Sequence, residues 1–402
     1  MSATAPDVLR ALHAHTRERG LPPPAALIGD WWDADAVIAP SIDIRAGHLP
    51  EDRPDRFWLG YRGFDGRRRD EAALPVSAGG VTAHLLVLRE GRWHTVSADD
   101  STPPAWVDDV VERSWATAPS RAGWAATWTP PDRDHHLAAI EECLEAIRAG
   151  EIYQACVCTR FDGALDGAPL DFYCDLTATT RPAKSAFLQG DWGAVTSFSP
   201  ESFLRRTGNI VTSSPIKGTL PADADPNLLA ASTKDIAENV MIVDLVRNDL
   251  SRVAVTGSVH VTSLLEVVAA PGVWHLVSRV QAILPPEVGN SGLLEATWPP
   301  ASVTGTPKIR ARELLEDWES HARGVYCGAV GLAGPDGLLD LNVAIRTVEI
   351  APDGGLHLGV GGGITIDSDP AREWQECLDK AASIVTATAT VDLEEGMSCR
   401  ES

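Results

Sequence analysis

The spacing of hydrophobic and polar residues changes near residue 130. Before that point, short apolar runs such as AALIGDWW and RFWLGYRGF are separated by polar or glycine-bearing turns, which is typical of an antiparallel β meander. Beyond it, amphipathic stretches of helix length alternate with apolar runs of strand length. The pattern predicts a β-rich N-terminal subdomain over residues 1–130, a larger region of helices and strands over residues 131–390, and a polar C-terminal tail over residues 391–402.

Residues 235–248, DIAENVMIVDLVRN, combine apolar side chains with a buried acid. No Gly or Pro interrupts the segment, and its apolar residues occupy more than one helical face, so the helix should be mostly buried. Glu238 lies on the same stripe as Ile242 and Leu245. A carboxylate there needs a cation, a metal ion or several hydrogen bonds, or else it takes up a proton. A helix glutamate in a salt bridge is the plainer interpretation.

Other polar candidates stand near the ends of predicted strands. A helix over Leu137–Arg148 precedes a strand over Ile152–Phe161, where Gln154 either orients a ligand without ionising or is a hydrogen-bonded core amide. Glu201 and Lys217 border two strands that are joined by a tight turn. Antiparallel pairing would bring this acid and this amine to one small molecule, although a cross-strand ion pair explains the spacing equally well.

The segment SVTGTPK and the strands after it offer anion-binding groups. Pro307 fits the first turn of a helix, so free backbone amides and the hydroxyl of Thr304 would face a carboxylate or phosphate. Tyr326 begins a small-residue strand, YCGAVGL. Arg346 occupies a half-buried position of the next strand, LDLNVAIRTVEI, where an arginine usually has a bidentate carboxylate partner from the protein or from a ligand.

The last segment combines glycines with acids. Three consecutive glycines interrupt a predicted strand, where the backbone must approach something closely or take a positive φ: Gly361, Gly362 and Gly363. On the following helix Glu373, Glu376 and Lys380 project from one face. Mg²⁺ takes oxygen ligands from one or two carboxylates, so Glu376 together with the distant Glu238 would suffice. A surface ion pair between Glu376 and Lys380 is the alternative.

Composition narrows the function classes. The chain has 402 residues, a net charge of −22 and a pI near 4.8, which argues against a nucleic-acid or anionic-membrane surface. There is no run of 18 apolar residues and no apolar core of a signal peptide at the N-terminus, so we expect a cytoplasmic protein. The seven cysteines are an odd number without a CxxC pair, which favours reduced thiols over a disulfide framework or a zinc site.

A series of ordered motifs over residues 132–388 resembles those of the chorismate-utilising enzymes: IYQ, SPESF, PIKGT, DIAENVMIVDLVRNDL, HLVS, SVTGTPK, YCGAVG, IRT, GVGGGI and EWQECLDK. That family includes anthranilate synthase component I, aminodeoxychorismate synthase component I, isochorismate synthase and salicylate synthase. The resemblance implies an α+β fold in which two packed, mostly antiparallel β-sheets are flanked by helices. It also places the site in the central cleft and makes residues 131–390 the catalytic region.

Two positions bear on the subtype. Gln154 occupies the place where water-using members of the family carry a lysine base, so the chain resembles the ammonia users. Lys217 in PIKGT resembles the aminodeoxychorismate synthases, whereas anthranilate synthases tend to have alanine there. The implied reaction is the amination of chorismate to 4-amino-4-deoxychorismate, for p-aminobenzoate and folate or for a p-aminobenzoate-derived metabolite. The ammonia would come from a separate glutamine amidotransferase subunit.

The resemblance also implies roles for the residues singled out above. Glu238 and Glu376 would hold Mg²⁺, with Glu373 nearby. Glu201 would be the general acid, Lys217 a nucleophile that forms a covalent adduct, and His275 of HLVS an active-site or a structural histidine. The remaining residues would bind the carboxylates of chorismate: Thr304, Tyr326, Arg346, Lys380 and the amides of Gly361, Gly362 and Gly363.

Three alternatives remain. An anthranilate or 2-amino-4-deoxyisochorismate synthase component I is the nearest, and Lys217 argues against it. Gln154 disfavours a water-using isochorismate or salicylate synthase. A catalytically silent chorismate-binding subunit is the alternative that is not an enzyme, and Mg²⁺-dependent turnover of chorismate would exclude it.

Overall fold

The computed structural model describes residues 4–50, 53–64, 74–99, 101–116 and 123–387. The predicted tail over residues 391–402 lies outside them. The helices are α1 Ala5–Arg19, α2 Trp106–Ala116, α3 Arg133–Arg148, α4 Pro169–Thr180, α5 Asn227–Ala231, α6 Thr233–Ser251, α7 Asn290–Thr297, α8 Lys308–Trp318 and α9 Pro370–Val385.

The strands of the N-terminal part are β1 Ala25–Trp31, β2 Ala34–Ala39, β3 Arg45–Ala46, β4 Phe57–Arg62, β5 Ser77–Thr82, β6 His84–Arg89, β7 Arg92–Ser97 and β8 Ala125–Thr129. The central strands are β9 Gln154–Asp166, β10 Lys184–Gly190, β11 Gly193–Ser199, β12 Ser202–Thr207, β13 Ile210–Ser214, β14 Ile216–Pro221, β15 His260–Ala270 and β16 Val273–Ile283. The C-terminal strands are β17 Gly305–Thr306, β18 Ala329–Gly334, β19 Leu338–Val343, β20 Thr347–Ile350 and β21 Gly355–Ile364.

Two large antiparallel sheets organise the described chain. The first has the order β17-β9-β21-β20-β11-β10-β1-β2-β6-β7, and β8 pairs with β9 as well. The second has the order β14-β16-β13-β12-β19-β18-β4-β5-β3, and β15 pairs with β16 as well. A shared apolar core joins the sheets, with Leu27 from the first against Leu59 and Val330 from the second. The predicted α+β fold of two packed antiparallel sheets is confirmed.

The N-terminal strands do not form a separate unit. β1 pairs with β10 in the first sheet, and β4 pairs with β18 in the second. The predicted boundary at residue 130 therefore does not divide the structure, and the predicted meander is distributed over both sheets. The physical reason is that short strands with buried residues on both faces need partners and core from the rest of the chain.

The helices that flank the cleft begin at capping residues. The predicted helix 235–248 lies within α6, which begins earlier because the Ser232 hydroxyl accepts a hydrogen bond from the Asp235 backbone N–H at 3.2 Å. α9 begins at Pro370, and the side chain of its N-cap, Asp369, accepts a hydrogen bond from the Arg372 backbone N–H. α6 packs on β14 and β16, whereas α9 packs on β21. Each helix thus brings its side chains to one wall of the cleft.

The segment LDLNVAIRTVEI is not one strand, and that prediction was wrong. β19 ends at Val343 in the second sheet, β20 begins at Thr347 in the first, and the residues between them cross from sheet to sheet. Arg346 lies in this crossing with φ 49°, a left-handed conformation that is uncommon for a residue with a side chain. The crossing places its guanidinium in the cleft between the sheets.

The three consecutive glycines do not interrupt a strand either. They lie within β21 and pair with β9 from Cys158 to Cys156, and their φ angles are not positive. Close approach to β9 explains the first of them, Gly361. A Cβ on Gly361 would lie 2.6 Å from Cys158 Sγ and 2.7 Å from the Val157 carbonyl oxygen, distances that an ordinary side chain cannot adopt.

Among the described residues, no helix combines the length and the apolar character needed to cross a membrane.

Candidate active site

A cavity of about 510 Å³ lies between β21 of the first sheet and β14 and β16 of the second. Helices α6 and α9 contribute to its walls. Its lining includes most of the side chains that the sequence singled out: Glu201, Lys217, Glu238, His275, Tyr326, Arg346, Gly361, Gly362, Gly363, Glu376 and Lys380. Gln154, Glu373 and Thr304 are buried beside it rather than part of its lining.

Glu201 and Lys217 reach the cavity from neighbouring segments of the second sheet. β13 and β14 pair in succession with β16, on either side of Pro215. Ser202, directly after Glu201, pairs with Ser214 at the end of β13. The acid and the amine are therefore brought to one cavity, as their spacing predicted.

Lys217, Glu238 and Gln154 converge on the backbone of Gly363. A Cβ at Gly363 would lie 3.5 Å from Lys217 Nζ, 3.5 Å from Glu238 Oε2 and 3.9 Å from Gln154 Oε1. The ammonium of Lys217 donates one hydrogen bond, to the carbonyl oxygen of Ser302 at 3.2 Å. Gln154 is 2% exposed, and its Oε1 accepts no hydrogen bond within the described part of the chain. An amine, an acid and a free acceptor thus surround one point.

The buried environment of Glu201 favours its protonated form. Its side chain is 4% exposed. Burial raises the pKa of the Glu201 carboxyl above its usual value, although Ser302 and the charge of Lys217 oppose the shift. A carboxyl whose pKa is raised is better able to remain protonated in the active site and to donate that proton to a leaving group.

His275 is a neutral hydrogen-bonding side chain near pH 7. Its Nδ1 lies 2.9 Å from the hydroxyl oxygen of Thr219. Burial, and secondarily the charge of Arg346, lowers the pKa of His275 to about 4. The imidazole therefore adds no positive charge to the cavity at neutral pH.

Two cations face the cavity in different states. The side chain of Arg346 is half-buried and makes no hydrogen bond or ion pair with any described residue. Lys380 is already committed, because its Nζ donates to the Gly361 carbonyl oxygen and to Glu376, at 2.8 and 2.7 Å. Burial lowers the pKa of Arg346, yet arginine stays protonated in proteins. Of the two partners predicted for Arg346, a ligand carboxylate is the one left.

Tyr326 closes one side of the cavity. Its ring packs against Gly359, where a Cβ would lie 2.2 Å from Tyr326 Cδ1. Its hydroxyl oxygen accepts a long hydrogen bond from Cys158 Sγ at 3.8 Å. Burial raises the pKa of the phenol, so Tyr326 can act as a neutral hydrogen-bond donor.

The acids predicted to hold a metal ion have unequal partners. Glu238 is 7% exposed and makes no hydrogen bond with a described residue, and Lys234 Nζ lies 3.9 Å from its Oε1. Glu373 is bound by Lys234 at 2.8 Å and by the Ser368 hydroxyl at 2.7 Å. Glu376 forms the predicted ion pair with Lys380. Within the described ranges, no three His, Cys, Asp or Glu side chains form a group that could hold a metal ion.

The pKa shifts of these acids also differ in direction. Burial raises the pKa of Glu238 despite the opposing charges of Lys217 and Lys234. For Glu376 the burial effect is outweighed by Lys380 and the other nearby lysines, and its pKa is lowered. Glu376 is therefore held in a close ion pair with Lys380, whereas the ion pair of Glu238 with Lys234 is longer, at 3.9 Å.

The structure does not place Thr304 on the cavity. The residue is 1% exposed, and its hydroxyl donates to the carbonyl oxygens of Pro300 and Ala301 at 3.2 and 3.1 Å. Pro307 precedes α8 as its N-cap rather than occupying the first turn. These contacts give Thr304 a structural role at the end of the short turn Ala301–Val303. Ser302 and Val303 of that turn do line the cavity.

Sequence reasoning missed Lys234, Ser302 and Thr219. Lys234 stands four residues before Glu238, and that helical spacing was a usable signal. Ser302 accepts a hydrogen bond from Lys217 through its backbone carbonyl, which any residue would supply, and its side chain interacts with Glu201, which lies far away in the sequence. Thr219 was part of the PIKGT motif, but its contact with His275 depends on the pairing of β14 with β16.

The comparisons with known proteins agree with this geometry. The family model for chorismate binding enzyme matches residues 40–386, so the chain belongs to the chorismate-binding enzymes. It is 36% identical to aminodeoxychorismate synthase component 1 of Escherichia coli (strain K12), over 85% of this chain and 79% of that protein. It is 41% identical to the protein of the same name from Salmonella typhimurium, over 81% and 75%.

A solved structure extends the likeness to the fold. The crystal structure of anthranilate synthase component I from Streptococcus pneumoniae TIGR4 has a TM-score of 0.72 and 29% sequence identity to this chain. The match covers 85% of this chain and 83% of that one. The two-sheet architecture is therefore that of the family.

Proposed function

We propose that the chain aminates chorismate to 4-amino-4-deoxychorismate, on the way to p-aminobenzoate. The observation that carries the proposal is the convergence of Lys217, Glu238 and Gln154 on Gly363, in a chain whose relatives named above are aminodeoxychorismate synthase components. The name component 1 supports a partner subunit, which we take to be a glutamine amidotransferase that supplies ammonia.

The carboxylates of chorismate find complementary groups in the cavity. Arg346 has no partner among the described residues and offers a planar, bidentate donor. The strand Gly361–Gly363 brings its backbone to the cavity without side chains in the way. Tyr326 and Lys380 add donors on the same wall. A substrate carboxylate would thus pair with Arg346, whose charge has no ion-pair partner among the described residues.

The chemistry assigned to Lys217 and Glu201 balances in two displacements. The neutral amine of Lys217 attacks C2, both conjugated double bonds of the ring shift (C1=C2 to C1=C6, and C5=C6 to C4=C5), and the C4–O bond breaks as Glu201 protonates the departing hydroxyl. Ammonia then forms a bond to C4, both double bonds shift back, and the C2–N bond to Lys217 breaks. Two displacements retain the configuration at C4. The free Oε1 of Gln154 would accept a hydrogen bond from the entering ammonia.

The oxygen donors of the cavity fit Mg²⁺. Glu238 is a nearly buried carboxylate without a hydrogen bond from the described residues, which is the setting of a missing cation, and carboxylates with water are ligands that Mg²⁺ prefers. Glu238 and Glu376 would hold the ion, with Glu373 nearby. When bound, the ion would neutralise a substrate carboxylate.

The test is product identification with lysine variants. The chain, chorismate, Mg²⁺ and ammonium at mildly alkaline pH should yield aminodeoxychorismate, identified by mass and absorbance. Lys217→Ala should lower its rate at least about a hundredfold, because the nucleophile is gone. Lys217→Arg keeps the charge but not the nucleophile and should be as inactive. Glutamine should replace ammonium only after an amidotransferase subunit is added.

A second candidate is an anthranilate synthase component, which the solved structural neighbour favours. The same assay separates the two, because anthranilate has the nitrogen at C2 and has lost pyruvate. Anthranilate, isochorismate or salicylate as the product would overturn the proposal. Full activity of Lys217→Ala would overturn the covalent role of Lys217 alone.

A further inference from the structure

Lys234 lies where two of the candidate metal-binding acids meet. It stands in the first turn of α6, and its Nζ is 2.8 Å from Glu373 Oε1 and 3.9 Å from Glu238 Oε1. Its side chain is 41% exposed, whereas those of Glu238 and Glu373 are 9% and 4% exposed. Among the described residues, it is the cation within ion-pair distance of both acids.

A lysine at this position is electrostatically unfavourable unless nearby acids compensate its charge. The positive end of a helix dipole disfavours a cation in the first turn. Glu238 and Glu373 would otherwise be two nearly buried carboxylates with no cation between them, and burying unpaired charge is strongly unfavourable. Lys234 therefore compensates the two acids at the expense of its own helix position.

The acids are fixed, but the lysine can leave. Ser368 holds Glu373 Oε1 at 2.7 Å, and burial confines both carboxylates. A half-exposed lysine has a flexible stem and reaches water by rotating its side-chain bonds. A divalent cation that enters between the carboxylates cannot share the space with an ammonium 2.8 Å from one of them.

We propose that Lys234 is a built-in counter-ion that holds the place of the divalent cation in the free enzyme and is displaced when that cation binds. The inference rests on the proposed function, because it takes Glu238 and Glu373 as acids around the bound ion. It makes Lys234 a positioning residue that weakens metal binding to the free enzyme. In the free enzyme its charge reduces the electrostatic repulsion between the two carboxylates.

Direct metal binding tests the proposal without turnover. Mn²⁺ serves as the probe, and the free ion is followed by electron paramagnetic resonance in the absence of chorismate. Lys234→Met and Lys234→Gln should each bind Mn²⁺ at least about tenfold more tightly than the wild type, equivalent to about 1.4 kcal/mol. Adding Glu238→Gln to Lys234→Met should abolish the gain.

A matched control comes from the same helix. Arg247 pairs with Asp244 on an exposed face of α6, thirteen residues or about 20 Å further along. Arg247→Gln removes one positive charge there and should leave the Mn²⁺ affinity unchanged. Circular dichroism and thermal midpoints establish that each variant is folded.

An unchanged or weaker affinity of both Lys234 variants would overturn the proposal, because a lysine that only steadies Glu373 beside the ion would aid binding. Absence of Mn²⁺ binding in these variants would overturn it as well. The proposed function is judged separately, by the chorismate product of the wild type. Tighter Mn²⁺ binding without any aminodeoxychorismate would sustain the role of Lys234 and refute the proposed reaction.

Discussion

Arg346 and Glu238 are both charged, and both face the same cavity. Neither side chain makes a hydrogen bond with a described residue. Most buried polar groups in proteins are hydrogen-bonded, so two such exceptions in one cavity point to a missing ligand. The arginine calls for an anion and the glutamate for a cation. Chorismate with Mg²⁺, the ligands proposed above, would supply both, which is why these two residues carry more weight than the many satisfied ion pairs elsewhere in the chain.

Gly363 gives a residue-scale prediction about space in the site. Its Cβ would lie 3.5 Å from both Lys217 Nζ and Glu238 Oε2, which is ordinary contact, so Gly363→Ala should fold normally. The added methyl group would occupy the point where these groups converge, and kcat/KM for chorismate should fall at least about tenfold. Steady-state kinetics and a thermal unfolding midpoint measure the two effects.

Gly361→Ala is the contrasting variant. Its methyl group would meet the Val157 carbonyl oxygen at 2.7 Å, so the loss should appear in the unfolding midpoint. Unchanged kcat/KM in Gly363→Ala would show that no substrate atom comes near this point.

At the scale of elements, the packing of α3 on α9 depends on a neutral histidine. His136 of α3 is 2% exposed and contacts Trp374 and Cys377 of α9. Its Nδ1 has no hydrogen-bond partner among the described residues. Burial, together with the charge of His135, lowers the pKa of His136 to about 4.

The shift predicts how stability falls with pH. The folded-state pKa is below the ordinary value of 6.5, so protonation favours the unfolded chain. The stabilisation is complete above pH 6.5 and is lost as pH falls towards 4, by roughly 3 kcal/mol at about 1.4 kcal/mol per pKa unit. His136→Gln should therefore lose less unfolding free energy than the wild type between pH 7 and pH 4.5, measured by urea denaturation.

His135 stays in both proteins of this comparison, because its charge contributes to the lowered pKa of His136. His275, with a pKa lowered to about 4 as well, contributes its own part equally in both proteins. An identical pH dependence in His136→Gln and the wild type would contradict the prediction.

Elements differ in how far the sequence predicts them. The helix 235–248 was predictable because its apolar positions are contained in one segment that no Gly or Pro interrupts. The crossing at Arg346 was not, because VAIRTVEI reads as one strand until the two sheets are known. The glycines of β21 were correctly singled out for close approach but wrongly taken as a break, since both causes select glycine.

The residues of the candidate site also differ in how far the sequence predicts them. The order of the motifs singled out the acids, and it also singled out Lys217 and Arg346, because the chemistry of these side chains depends on residue type. We expected the Thr304 hydroxyl to face a ligand, but it donates to carbonyl oxygens within the turn after Pro300. The Ser302 carbonyl oxygen faces the cavity instead and accepts a hydrogen bond from Lys217. No local pattern specifies that turn.

At the scale of the whole molecule, one buried ion pair joins the two sheets. Lys184 of β10 and Asp340 of β19 lie 2.7 Å apart, with side chains 4% and 0% exposed. Lys184 also donates to the Asp30 carbonyl oxygen and stacks over Trp31, while Asp340 accepts from the Trp32 backbone N–H at 2.9 Å. The contact therefore links the N-terminal strands to both sheets, in addition to the pairing of β1 with β10 and of β4 with β18.

This pair gives the last prediction, on the stability of the two-sheet fold. Asp340→Ala leaves the ammonium of Lys184 buried without its carboxylate, which costs about 3–5 kcal/mol of unfolding free energy when a buried pair is broken. The double variant Lys184→Met with Asp340→Leu removes both charges and should recover most of that loss, because an apolar pair needs no desolvation. Urea denaturation of the single and double variants gives the coupling. Asp244→Ala, which removes the exposed partner of Arg247, should change little. A loss in Asp340→Ala no larger than in Asp244→Ala would mean that shared strands and apolar contacts alone, rather than this pair, hold the N-terminal part to the catalytic sheets.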